Sequence, residues 1–159
     1  MKKQILSILL LLVSVAAIAT EKKDPVKKAA KQVTLKMPFQ KLVVNGNVEV
    51  ILFEDTSATI SILDKEKRSA AVSITEANGV LTINRKRSFG KRIQVIIPVK
   101  GLHMIEAGGS STISGINRIE SPELLLLVNE SCRIQLRTSG TVSVMEGKDV
   151  EECYWAFNK

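Results

Sequence analysis

The sequence predicts an all-β domain whose later strands form a β-solenoid with rungs of about 21 residues. From Phe39 onward, apolar residues alternate with polar ones, which is the two-residue period of a β-strand. No segment after residue 36 shows the 3.6-residue apolar stripe of an amphipathic helix. Two later segments, 105–113 and 126–134, match at an offset of 21 residues, a period in the range of solenoid repeats.

Alternating apolar residues predict strands at 42–44, 48–52, 60–62, 72–74, 81–83 and 93–97. The dipeptide Asn78-Gly79 tolerates the left-handed backbone of a tight turn, so we expect a hairpin between 72–76 and 80–84. The apolar run 124–128 is too short to cross a membrane and predicts a strand buried on both faces.

The N-terminus has the pattern of an export signal. Lys2 and Lys3 precede an apolar run that ends in Ala17-Ile18-Ala19, an A-x-A cleavage pattern. The alternative is an uncleaved membrane anchor, but this run is shorter than the about 20 residues of a spanning helix. We predict a signal peptide at 1–19, a basic linker at 20–36 and the β domain at 37–159. The protein is then exported to the periplasm, the outer membrane or the outside of a Gram-negative cell, with no transmembrane span after cleavage.

The two cysteines follow the repeat, because a further step of 21 residues places Cys132 on Cys153. Neighbouring rungs lie about 4.8 Å apart, within the roughly 4.4–6.8 Å between the Cα atoms of a disulfide. We therefore predict a structural disulfide between Cys132 and Cys153 in the exported protein. Buried free thiols and a redox pair remain alternatives.

Positive charge is concentrated in two segments of the chain, whose net charge is +7. Residues 21–36 carry six Lys and two acidic residues, which predicts either a tether to anionic envelope polymers or a solvated linker.

The second segment holds five cations in eight residues around one aromatic ring, and its candidate contact residues are Arg85, Lys86, Arg87, Phe89, Lys91 and Arg92. The expected partner is an anionic glycan or envelope polymer, or a protein at the envelope. The alternative is a solvated hairpin tip whose like charges discourage aggregation at a sheet edge.

Composition argues against several chemistries. One His and two Cys exclude haem and iron–sulfur arrays and disfavour a zinc site, and aromatic residues at 4% are too few for a base-stacking surface. The carboxylate pairs Glu54-Asp55 and Glu151-Glu152 are adjacent, so on a strand each pair points to opposite faces. We predict no catalytic residues, no metal, no cofactor and no nucleic-acid partner.

Three segments resemble the head GIN domain family of auto-transporter adhesins, which is common in Bacteroidetes-type envelopes. They are LVVNGNVEVILFED (42–55), NGVLTI (78–83) with RIQVIIPVKGLHMIEAGGSSTISG (92–115), and ELLLLVNESCRI (123–134). The resemblance implies a single-stranded right-handed β-helix in a secreted or envelope protein and implies no enzyme activity. The sequence departs from the family where Asn129-Glu130-Ser131 replaces a Gly-Ser-Gly rung.

The expected function is that of an exported, non-enzymatic envelope protein that binds or scaffolds in an adhesin-like way. One alternative is a periplasmic sensing or accessory module for a membrane partner. A further alternative is a carbohydrate-active β-helix enzyme, which would need two carboxylates converging in a groove within roughly 5–10 Å.

Overall fold

The computed structural model describes residues 31–36, 38–63, 71–86, 90–147, 150 and 153–158, with only the backbone of 153 and 158. These residues form strands throughout, as the sequence predicts. The strands are β1 (Lys31–Thr34), β2 (Lys41–Asn45), β3 (Val48–Glu54), β4 (Thr59–Leu63), β5 (Val72–Ala77), β6 (Val80–Arg85), β7 (Ile93–Val99), β8 (Met104–Ala107), β9 (Thr112–Ile119), β10 (Glu123–Val128), β11 (Cys132–Thr138), β12 (Thr141–Glu146) and β13 (Cys153–Asn158).

The strands pair into two sheets, and both sheets are mixed. Sheet A has the order β1-β4-β7-β3-β9-β11-β13, and sheet B has the order β12-β10-β8-β2-β6-β5. The pairs β1–β4, β4–β7 and β5–β6 are antiparallel, and the other neighbours in the described sheets are parallel. The predicted hairpin is confirmed, because β5 and β6 pair across Asn78-Gly79, where both residues have positive φ.

The core contains alternate side chains from both sheets. In β11 every second residue is buried, including Ile134 and Leu136, while the residues between them are exposed. Inward-facing residues from the two sheets join in one hydrophobic cluster, and burial of this apolar surface drives folding. The expectation that 124–128 is buried on both faces is wrong, because Leu125 and Leu127 are half-buried on the outer side of sheet B.

The predicted single-stranded right-handed β-helix is also wrong. In such a solenoid each rung follows the previous one along the chain, so the spatial order of strands repeats their order in the sequence. Here β2 lies between β6 and β8 in sheet B, and β3 lies between β7 and β9 in sheet A. Antiparallel pairing also lies at one edge of each sheet. The molecule is therefore two mixed sheets, with no closed or solenoid arrangement.

Among the strand pairs that the structure describes, three have the 21-residue offset. Ile105 is opposite Leu126, Ile113 is opposite Ile134, and Cys132 is opposite Cys153. Elsewhere the offsets differ, as where Leu42 is opposite both Leu81 and Ile105. The repeat is thus a local property of the C-terminal strands and does not define one rung length for the domain.

Five connections each join a strand of sheet B to a strand of sheet A, and the joined strands have the same spatial order in both sheets. The described residues of these connections therefore lie side by side along one edge of the molecule, which we call the corner edge. They are 46–47, 86 and 90–92, 108–111, 129–131, and 147 with 150. They pack closely, because a Cβ at Gly109, where φ is +67°, would meet the backbone nitrogen of Gly46.

Strand β1 lies inside the stretch predicted as a basic linker. It pairs with β4, with Val33 opposite Ile60, and Val33 packs against the core. The backbone N–H of Leu35 donates to the carbonyl oxygen of Ala58 at 2.7 Å. Residues 31–35 are therefore part of the folded domain.

Candidate functional site

The cations of the segment 85–92 are divided between the interior and the surface. Arg85 is only 4% exposed, and one Nη atom donates to the carbonyl oxygens of Asn47 at 2.7 Å and Lys91 at 3.1 Å. These bonds join two neighbouring connections of the corner edge, which gives Arg85 a structural role. Lys86 and Lys91 are exposed. Arg87 and Phe89 lie outside the described residues.

Arg92 is the residue of this segment that the structure brings to a groove. The groove opens at the corner edge, has a volume of about 410 Å³, and is called the polar groove here. Its lining residues are Arg92, Ser110, Ser111, Thr112, Ser131, Cys132 and Arg133. They lie at the amino ends of β7, β9 and β11. These ends are on the same side of sheet A because the neighbouring strands β7, β3, β9 and β11 run parallel.

Two guanidinium groups line the polar groove, and each is held by a contact outside it. Arg92 donates from Nε to Oδ1 of Asn47 at 3.1 Å, a bond that does not use its Nη atoms. Arg133 is exposed on β11 and lies over the ring of Tyr154, with Cζ 5.6 Å from the ring centroid. A cation stacked on an aromatic face is restrained in position, so both arginines are oriented before any ligand arrives.

Four residues with hydroxyl side chains line the groove together with the two arginines, namely Ser110, Ser111, Thr112 and Ser131. Ser111 is 1% exposed, and its Oγ makes no hydrogen bond to any residue that the structure describes. A buried hydroxyl without a partner costs about 1–3 kcal/mol, so its presence beside a groove requires an explanation.

Two carboxylates lie beside the polar groove without lining it. Glu49 neighbours Thr112 in the sheet register, and its Oε2 accepts a hydrogen bond from Nε2 of Gln94 at 3.0 Å. Glu130 is exposed in the connection before Ser131 and has a φ of 56°. The ionised side chains that line the groove are therefore both positive.

Cys132 also lines the polar groove and is buried. Its Cα lies opposite that of Cys153 in the parallel pair of β11 and β13, which is the register a disulfide needs. The side chain of Cys153 lies outside the described residues, so the disulfide stays a prediction.

A second groove, of about 360 Å³, lies at the carboxyl ends of β3 and β7 and is called the apolar groove here. Its lining residues are Leu35, Lys36, Pro38, Phe39, Asp55, Thr56, Ser57, Ala58, Pro98 and Lys100. Phe39 is buried and belongs to the hydrophobic core, whereas Lys36 and Lys100 are exposed. The groove is thus an extension of the core with two cations beside it.

Sequence reasoning found Arg92 and missed Arg133. Arg92 stands in a dense run of cations, whereas Arg133 is an isolated arginine in an alternating strand. A signal was available in the repeat, because the 21-residue offset places Ser110 on Ser131 and Thr112 on Arg133. Hydroxyl groups that recur at the same position of neighbouring connections indicate a polar surface there.

Within the ranges given above, no helix has the length and apolarity that crossing a membrane requires. The same ranges contain no group of three His, Cys, Asp or Glu side chains placed to hold a metal ion.

A comparison with protein families matches residues 38–147 to the family described as "Putative auto-transporter adhesin, head GIN domain". A comparison with the curated proteins gives no significant match. The family match covers most of the chain, including the polar groove, the corner edge up to residue 147, and the apolar groove except for Leu35 and Lys36.

Several solved structures share the fold. A "putative adhesin" from Parabacteroides merdae superposes with a TM-score of 0.60 at 21% identity, over 73% of this chain and 51% of that one. A "putative adhesin" from Parabacteroides distasonis gives 0.57 at 16% identity, over 73% and 55%. A "putative lipid binding protein" from the same species gives 0.54 at 12% identity, over 79% and 61%. This chain therefore spans about half to three fifths of the length of these proteins, and at such identities the likeness shows the fold alone.

Proposed function

This chain belongs to the head GIN domain family of auto-transporter adhesins, and from that premise we propose that it is an exported, non-enzymatic binding module of the cell envelope. The ligand is an anionic envelope polymer or glycan, and the corner edge is the binding surface. The signal peptide at 1–19 delivers the protein across the inner membrane, and the basic residues that follow it add attraction to anionic surfaces.

The observation that carries this proposal is the polar groove. Arg92 and Arg133 give it positive charge on an exposed edge, and each is held by a contact outside the groove, with Asn47 or with Tyr154. Restrained side chains lose less conformational entropy on binding, which favours a site over a merely solvated edge. Glycoside hydrolysis takes a pair of carboxylates, whereas the lining of the polar groove has none and that of the apolar groove has Asp55. This arrangement supports binding as the role of the polar groove.

Two measurements on cells test the export and binding parts. The protein purified from the envelope fraction should have Thr20 as its first residue by intact-mass analysis. Added to washed envelopes, it should sediment with them at low salt and be released at high salt, since screening weakens charge attraction. A cytosolic protein with Met1 retained, or one that stays in solution with envelopes, contradicts the proposal.

Protease accessibility on intact cells separates the adhesin-like role from the periplasmic accessory role. Cleavage of the protein on unlysed cells, with a periplasmic control protected, places the corner edge outside the cell. Full protection until the outer membrane is opened favours the accessory module for a membrane partner.

A second candidate function is the binding of lipid through the apolar groove. The groove exposes Pro38 and Ala58 beside the buried Phe39, and the exposed residues Lys36 and Lys100 also line it. Apolar walls with nearby cations match an acyl chain that carries an anionic head group. One structure of similar fold is described as a lipid binding protein.

Vesicle flotation tests the second candidate. The protein should float with phosphatidylglycerol vesicles, and the substitution Ala58→Asp should abolish flotation because it places a carboxylate on the wall of the apolar groove. Two results would assign vesicle binding to simple charge attraction instead. One is flotation that Ala58→Asp leaves unchanged, and the other is a loss of flotation in Arg133→Gln as large as that in Ala58→Asp.

A further inference from the structure

We propose that the polar groove binds an acidic oligosaccharide, with Arg92 and Arg133 pairing with carboxylate groups of two different sugar units. The inference deepens the proposed function and rests on it, because it gives the envelope-binding module a site and a class of ligand. Three features of the groove carry it: the type of cation, the hydroxyl lining and the distance between the two arginines.

The cations are arginines whose guanidinium groups are already oriented. A guanidinium is planar and presents several N–H donors in a fork that matches a carboxylate. The bond from Arg92 to Asn47 uses Nε and leaves its Nη atoms out of that contact. Arg133 lies over the face of the Tyr154 ring, a contact that uses no N–H donor in a hydrogen bond to the ring's substituents.

The hydroxyl lining distinguishes a sugar from a bare anion. Each of Ser110, Ser111, Thr112 and Ser131 can both donate and accept a hydrogen bond. A phosphodiester group has acceptors only, so it would leave the accepting capacity of these side chains unused. Sugar hydroxyls donate and accept in the same way, so an acidic sugar uses the arginines and the hydroxyls together.

The distance between the arginines favours a chain of sugars over one small ion. Arg92 directly precedes β7 and Arg133 is on β11, with β3 and β9 between them. Three strand spacings of about 4.8 Å separate their backbones by about 14 Å. That length, together with a volume of about 410 Å³, suits two or more linked sugar units with acidic groups near the ends.

Ser111 supplies an independent observation. Its Oγ is buried beside the groove and makes no hydrogen bond within the described part of the chain. Because this Oγ is buried, a bound sugar completes the bond through a water that it holds in place or after the Ser111 side chain rotates towards the groove.

The test uses short oligogalacturonates, which carry one carboxylate on each sugar, and the same oligomers with their carboxylates methyl-esterified. Isothermal titration should show binding of the acidic form and at least tenfold weaker binding of the ester. Arg92→Gln and Arg133→Gln should each weaken binding about tenfold or more, because each removes charge-assisted hydrogen bonds.

Arg137→Gln is the matched control. Arg137 is on β11 four residues after Arg133, faces the same side, and does not line the groove. It carries the same charge, so its loss reproduces any general weakening of charge attraction, and affinity should change less than twofold.

Each outcome bears on one part of the proposal. Equal affinity in wild type and Arg133→Gln, or an equal loss in Arg137→Gln, overturns the assignment of the groove while leaving envelope binding intact. Binding of phosphatidylglycerol vesicles but not of oligogalacturonate, with dependence on Arg133, overturns the sugar as the ligand. A wild-type protein that binds neither probe and also stays in solution with washed envelopes contradicts the proposed function itself.

Ser111→Ala gives a readout that does not depend on charge. Because the Oγ has no partner in the described residues, its removal should leave the melting temperature unchanged or raise it. The same substitution should reduce the rise in melting temperature that oligogalacturonate produces. A lower melting temperature with an unchanged rise on ligand addition would make Ser111 a structural residue and would contradict its place in the site.

Discussion

The polar groove and the apolar groove lie at opposite ends of the same parallel strands and are built in different ways. The polar groove is at the amino ends, where neighbouring connections of the corner edge place similar side chains in a row. The apolar groove is at the carboxyl ends, about 20 Å away along a seven-residue strand such as β3. There residues 35, 36, 38 and 39 and the loop 55–58 leave an open groove beside the core.

The difference shows what parallel and antiparallel pairing each contribute to this fold. Parallel neighbours in register bring equivalent positions of successive connections together, so hydroxyls and arginines from distant parts of the chain form one polar surface. The antiparallel flank of β1 and β4 instead extends the sheet and leaves an apolar groove beside it. Substitutions in the apolar groove, which belongs to the core, should therefore change the free energy of unfolding. Substitutions in the polar groove should change the affinity for the ligand and leave that free energy nearly unchanged.

Phe39→Ala should give the largest effect on stability. The ring is 4% exposed, belongs to the hydrophobic core and lines the apolar groove. Its removal should lower the free energy of unfolding by about 3–5 kcal/mol, measured by urea denaturation. Ser111→Ala in the polar groove should leave this free energy unchanged or slightly higher. If the two substitutions destabilise the protein equally, the two grooves do not differ as described.

Gly109→Ala should have the next largest effect, and Gly101→Ala is its control. Their φ values are similar, +67° and +66°. An alanine in this left-handed backbone conformation is therefore strained to the same extent at both positions. At Gly109 the added Cβ meets the backbone of Gly46, whereas at Gly101 nothing lies within 4 Å. Thermal or urea unfolding should show a loss of about 3 kcal/mol at Gly109 and about 1 kcal/mol at Gly101. Equal losses would mean that the corner edge is not closely packed.

The predicted disulfide should stabilise the part of the molecule that contains the polar groove, because Cys132 lines that groove. Mass spectrometry of exported protein under non-reducing conditions should find Cys132 joined to Cys153, which are opposite each other in β11 and β13. Reduction should then lower the free energy of unfolding by about 3 kcal/mol, because a closed loop of this length restricts the unfolded chain. Two free thiols in protein from an oxidising compartment would contradict the predicted bond.

Much of the local structure could be predicted from the sequence. Alternation of apolar residues located the strands, and Asn78-Gly79 located the hairpin of β5 and β6. The order of strands could not be predicted, because the central strands β2 and β3 pair with residues 39 to 63 positions later in the sequence. Leu42 is opposite Leu81 and Ile105, and Val50 is opposite Val95 and Ile113. Pairings this far apart do not follow one short repeat, so the 21-residue spacing of the C-terminal strands does not describe the whole domain.

The sequence indicates only part of the candidate site, because the rest depends on long-range strand pairing. A dense run of cations marked Arg92, but the same run includes Arg85, which the fold buries to hold two connections together. Charge density alone cannot separate these roles, since both arginines look alike in the sequence. Arg133 joins the groove only through the parallel register of β9 and β11.

The most direct test of where a ligand binds is nuclear magnetic resonance of the isotope-labelled protein titrated with oligogalacturonate. The account predicts shifts of the amide signals of Arg92, of 110–112 and of 131–133, with those of 55–58 and 98–100 unchanged. Shifts confined to the apolar groove, or the absence of any shift at concentrations that saturate envelope binding, would contradict the polar groove as the binding site.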